Sequence, residues 1–124
     1  MKKIICMTFI VFLAASCGQD YNSSSGDYSQ YAPIEGIDTS TADGARLLTA
    51  YKVFQVKCFQ CHNAWSSYKS SAQWISAGLV SAGNQGASLI HTRLKNNGGD
   101  MPQDPISELT SEEFAAIEAW INGT

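Results

Sequence analysis

Apolar residues recur at three- and four-residue steps in two stretches of this chain. Leu47, Leu48, Tyr51 and Phe54 form one face, and Phe114, Ile117, Trp120 and Ile121 form another. Each pattern predicts an amphipathic helix. The first has Ser40 or Thr41 in position to cap its N-terminus. Gly44 sits in its first turns, where glycine costs about 1 kcal/mol relative to alanine. That residue reads either as a point of close packing or as a tolerated first-turn glycine. The second helix is announced by Thr110-Ser111-Glu112-Glu113, a capping box, with Leu109 and Phe114 spaced as a hydrophobic staple. Gly123 stops it. Nothing on this second helix is chemically reactive, so it reads as scaffold.

Between these helices, residues 64–95 predict one or two short helices joined by loops. Ser70–Ala77 is one candidate, Asn84-Gln85-Gly86 reads as a helix start, and Ser88–Lys95 carries Leu89, Ile90 and Leu94. Asn96-Asn97-Gly98-Gly99 ends that segment. The glycines permit left-handed backbone, while Pro102 and Pro105 keep the loop around Met101 out of helical conformation. Every predicted element is a helix, so the expected fold class is all-α. No internal repeat is present.

The first forty residues have a different character. Met1-Lys2-Lys3 is a short basic start, and Ile4–Ala15 is an apolar run of twelve residues. That is shorter than the roughly 20 residues needed to span a bilayer, so residues 1–16 read as a signal peptide. Leu13-Ala14-Ala15-Ser16-Cys17 resembles a bacterial lipobox, which makes Cys17 the expected lipidation site. Ala14 stands where leucine is usual, and Ala14 and Ser16 also fit ordinary signal-peptidase cleavage. An uncleaved anchor is the third alternative. Gly18 in place of Asp after the cysteine points to the outer membrane. Residues 17–39 are rich in Ser, Gly, Asp and Tyr and lack aliphatic periodicity. They read as a flexible tether spanning roughly 25 Å.

Charge and composition narrow the classes further. Hydrophobic content of 44% with 15% charged residues describes a globular protein. A single folded domain is expected over residues 40–124, too small for a large core of its own. Loss of Lys2 and Lys3 with the leader lowers the formal charge from −3 to −5. That argues against nucleic acid and favours partner proteins with positive docking patches. Of the four cysteines, Cys6 and Cys17 belong to the leader region, leaving Cys58 and Cys61. Met101 is the sole methionine beyond the leader, and His62 and His91 are the only histidines.

Cys58-Phe59-Gln60-Cys61-His62 is the five-residue signature of covalent c-type haem attachment. Two thiols three positions apart on one helical turn can reach the two vinyl groups on one porphyrin edge and form thioethers. The following histidine then falls beneath the iron as its proximal ligand. The pair could instead be a thioredoxin-like redox couple, but that belongs in a strand–helix–strand setting absent here. It could also be half a zinc site completed by His62 and His91, but no second cysteine pair exists. A six-coordinate iron needs a second ligand, and Met101 or His91 is available.

Taken with Met101-Pro102 and the final amphipathic helix, this signature makes residues 40–124 resemble a single-haem class I cytochrome c. The run GLVSAGNQGASLIHTRL (Gly78–Leu94), followed by GGDMP, resembles the variant widespread among exported bacterial proteins. The resemblance implies a small fold in which the N- and C-terminal helices cross, with short helices and loops around one haem c. It implies Gly44, Leu48 and Trp120 at the helix crossing, where an aromatic side chain of the last helix covers the glycine. Cys58 and Cys61 are then the cofactor-binding residues, and His62 and Met101 the metal ligands. His91 is expected as a solvent-facing helical residue. Trp65, Trp74 and Tyr68 are expected around porphyrin or core, and Arg93 and Lys95 on a solvated face, with pairing to propionates as the alternative. The function implied is one-electron transfer between redox partner proteins by a monomeric, non-enzymatic carrier. That carrier is expected on the periplasmic side, held to the membrane through the N-terminal lipid. A haem-based gas sensor and a haem subunit of a larger oxidoreductase are the alternatives.

Overall fold

A computed structural model of the chain describes residues 33–124. The expected signal peptide, the Cys17 lipidation site and the tether up to residue 32 lie outside the described residues. Within them the protein is all-α. Four α-helices, α1 (Ala42–Lys57), α2 (Ser71–Ser76), α3 (Leu89–Thr92) and α4 (Ser111–Asn122), alternate with three short 3-10 turns. Those turns are Asn63–Ser67, Gln85–Ala87 and Lys95–Asn97. The described residues contain no strand, and Leu94 and Met101 form one isolated bridge.

Helices α1 and α4 make the dominant helix–helix interface. Thr41 caps α1 by accepting from the Gly44 amide at 3.0 Å. Thr110 caps α4 reciprocally: its hydroxyl accepts from Glu113 N (3.2 Å), and Thr110 N donates to the Glu113 carboxylate (2.8 Å). Both helices then bury the faces their periodicity predicts. Leu47, Tyr51 and Phe54 of α1 and Ile117, Trp120 and Ile121 of α4 are essentially solvent-free. Trp74 of α2 completes the core, 4.8 Å from the Phe54 ring and 5.5 Å from the Trp120 ring.

A polar thread runs through this apolar centre. The Trp120 indole donates to Ser71 Oγ at 2.8 Å, and Ser71 Oγ donates onward to Asp43 Oδ1 at 2.9 Å. The Trp74 indole donates to the Tyr68 carbonyl at 3.2 Å. Both buried indole N–H groups therefore have acceptors, and one serine links α4, α2 and α1.

Three expectations need correction. A Cβ on Gly44 would lie 1.8 Å from the Asp38 carbonyl oxygen, so the turn before α1 takes that space and a side chain is excluded. The glycine is thus required by its own N-terminal turn: the atoms nearest that Cβ belong to Asp38 and Thr41, not to an aromatic side chain of α4, and a merely tolerated position is ruled out as well. The helix expected over Ser88–Lys95 stops at Thr92. Leu94 turns to extended backbone (φ −71°, ψ 138°), buries its side chain and pairs with Met101. Finally, Ile37 is buried and Ile34 packs on the core, so the folded unit takes in residues just ahead of Ser40.

Candidate haem-attachment site

The cysteine motif lies in the turn that follows α1 and not on the helix itself. Cys58 N still bonds Phe54 O at 2.8 Å, which closes the helix. The Cys58 carbonyl then accepts from both Cys61 N (3.1 Å) and His62 N (2.8 Å). One tight turn therefore carries both thiols and the imidazole. Cys58 is half-buried, Cys61 is exposed, and both are free thiols. Tyr51 fixes the chain beyond the motif to α1: its hydroxyl donates to Ser66 O at 2.5 Å and receives a bond from the Lys69 ammonium.

Aromatic rings back this turn. The His62 imidazole stacks on Trp65 with centroids 4.1 Å apart and planes 9° from parallel. Trp65 meets Trp74 edge-on at 5.7 Å, and Phe59 meets Tyr51 edge-on at 5.1 Å. The proximal-ligand candidate is thus coupled by ring contacts to the core. Trp65 as the partner of His62 was not anticipated from the sequence, although the three-residue spacing places the two on one face of a 3-10 turn.

Electrostatics separates the possible chemistries of Cys58. Burial pushes its thiol up to about 12, with the neighbouring Cys61 adding to the rise and Lys57 opposing it. Reactive redox cysteines show the reverse, a thiolate favoured below the ordinary range. A thioether sulfur carries no charge and suits the same desolvated position. The two thiols and one imidazole carried on this turn are the residue types that covalent haem attachment uses.

Met101 is presented from a separate loop and is half-buried. Its amide donates to Arg93 O at 2.8 Å, and its carbonyl accepts from Lys95 N at 2.6 Å, bracketing Leu94. The Met101–Pro102 peptide is cis. Gly98 adopts a left-handed φ of 78°, and a Cβ on Gly99 would lie 2.2 Å from Arg93 O. Arg93 lies on the solvated face expected of it, Lys95 is half-buried, and both hold this loop. Arg93 grips Asp100 through two 2.7 Å bonds, and Lys95 reaches Asp104 at 3.2 Å. The guanidinium of Arg93 keeps the Asp100 carboxyl below its ordinary range.

His91 is not solvent-facing. It is 4% exposed, with Nε2 3.0 Å from Glu118 Oε1 and Nδ1 3.4 Å from Asn97 Nδ2. Its ring lies over Phe114 at 5.2 Å. Both ring nitrogens are engaged between α3, α4 and the Lys95–Asn97 turn, so the zinc alternative lacks its fourth ligand. Among the described residues, no group of three or more His, Cys, Asp or Glu side chains converges as a metal cage. No helix among them is long and apolar enough to cross a membrane.

No family model, curated protein or solved structure matches this chain. The reading of the site therefore stands on its own residues.

Proposed function

We propose that this protein is a single-haem c-type cytochrome that carries one electron at a time, exported and tethered to the membrane through Cys17. The observation that carries this reading is the turn at 58–62, where two free thiols and one imidazole share the Cys58 carbonyl as backbone anchor. Cys58 and Cys61 would hold the haem as thioethers, and His62 and Met101 would ligate its iron. When bound, the haem supplies a one-electron Fe(III)/Fe(II) couple.

The rest of the chain's contribution is fixity. Trp65 limits rotation of the His62 ring, and the Leu94–Met101 bridge fixes the backbone from which the thioether side chain extends. Held ligands keep geometry alike in both oxidation states, which suits transfer without chemistry. A thioether ligand and an apolar surround favour Fe(II), raising the potential. The sequence resemblance of residues 40–124 to class I cytochromes c supports the same reading.

Visible spectra of the matured protein test it. Low-spin spectra in both oxidation states, with the weak ferric band of iron–thioether sulfur, are expected. That band should vanish in Met101→Ala, with a fall in potential. Covalent haem that lacks the band in the wild-type protein would overturn Met101 ligation and turn the reading towards gas sensing.

A further inference from the structure

Lys57 is the residue immediately before Cys58, and it is 9% exposed. Its ammonium donates to Ser107 Oγ at 2.7 Å and to Glu108 O at 3.1 Å, and lies 3.6 Å from Glu113 Oε2. A lysine is seldom buried unless it is paired. Here the pairing joins two stretches far apart in sequence: the attachment turn, and the limb that returns from Met101 to α4. The other limb of that loop is already fixed by the Leu94–Met101 bridge. Lys57 thus ties down the remaining side, and Glu113, its ionic partner, also caps α4 through Thr110 N.

We propose that Lys57 is a positioning residue that locks the Met101 loop to the cysteine turn and, with Glu113, sets the local charge beside the bound group. This rests on the cytochrome reading above. The geometry gives it two separable consequences. Loss of the clamp frees the returning limb, so Met101 yields more readily to an outside ligand. Loss of the cation leaves Glu113 unbalanced near the attachment turn, favouring Fe(III), whereas loss of the carboxylate leaves Lys57 unbalanced and favours Fe(II).

The test uses full-length, haem-loaded protein with imidazole as the competing ligand. Lys57→Met should bind imidazole in the ferric state about tenfold more tightly than wild type. Its reduction potential should fall, while that of Glu113→Gln should rise, since glutamine can still accept from Thr110 N. Opposite signs distinguish charge from general loosening, which would move both potentials the same way. Unchanged imidazole affinity in Lys57→Met, or equal signs for the two variants, would overturn the proposal. Should Lys57→Met fail to fold, Ser107→Ala removes the 2.7 Å acceptor alone. It should tighten imidazole binding in the same direction, and no change there would equally overturn it. A wild-type protein that takes up no haem would instead overturn the parent reading.

Discussion

His91 Nε2 lies 3.0 Å from Glu118 Oε1, a contact that ties α3 to α4 from inside the protein. With Nδ1 facing Asn97, the second histidine of the chain is committed to structure. His91→Ala should therefore leave the axial-ligand spectrum unchanged while lowering stability by about 1–3 kcal/mol. Denaturant titration read alongside the visible spectrum checks both halves. A changed ligand band with unchanged stability would assign His91 to the iron.

Ser71 Oγ is the acceptor of the buried Trp120 indole. Ser71→Ala leaves that N–H without a partner in the core, and should cost about 1–3 kcal/mol. Urea midpoints at constant slope measure it. An effect under a few tenths of a kcal/mol would mean the indole finds another acceptor.

Gly99 and Gly86 make a matched pair. A Cβ on Gly99 would sit 2.2 Å from the Arg93 carbonyl, the acceptor of the Met101 amide, whereas at Gly86 the nearest atom is Asn84 Oδ1 at 3.6 Å. Gly99→Ala should cost about 1–3 kcal/mol and weaken the iron–sulfur band. Gly86→Ala should do neither. Thermal melts and ferric spectra of the two variants decide the point.

Alkaline pH should destabilise the protein before maturation, when Cys58 is still a thiol. Its folded value is raised to about 12 by burial, so the folded state keeps the proton after the unfolded chain has released it near pH 8.5. Unfolding then gains from ionisation, and stability falls as pH climbs from that range towards 12. The Cys58→Ala protein should show a shallower fall over the same window. In unmatured Cys61→Ser protein, Cys58, followed by peptide mass mapping, should also react slowly with iodoacetamide at about pH 8.5 when native and quickly in urea. Equal rates in the two conditions would show that Cys58 is not desolvated.

Local signals were legible in the sequence, and non-local ones were not. Thr41, Thr110 and Glu113 cap their helices as their spacing predicts, because capping involves residues three apart. The cysteine turn was equally plain, being five consecutive residues. Burial of His91 depends on Phe114 and Glu118, more than twenty residues away, and no pattern around His91 itself encodes that. Likewise Leu94 continues a helical pattern, but its pairing with Met101 ends the helix. Lys57 carries no local signal of its contacts, which exist only once Ser107 and Glu108, some fifty residues on, fold over it.

The measurement that tests the central claim most directly is the intact mass of the protein under denaturing conditions, after export in a host with working c-type maturation. The account predicts a gain of one haem that survives acid–acetone extraction and gives a c-type pyridine haemochrome. Cys58→Ala with Cys61→Ala should abolish that gain. A wild-type chain that emerges with both thiols unmodified, beside a correctly matured control cytochrome, would contradict it.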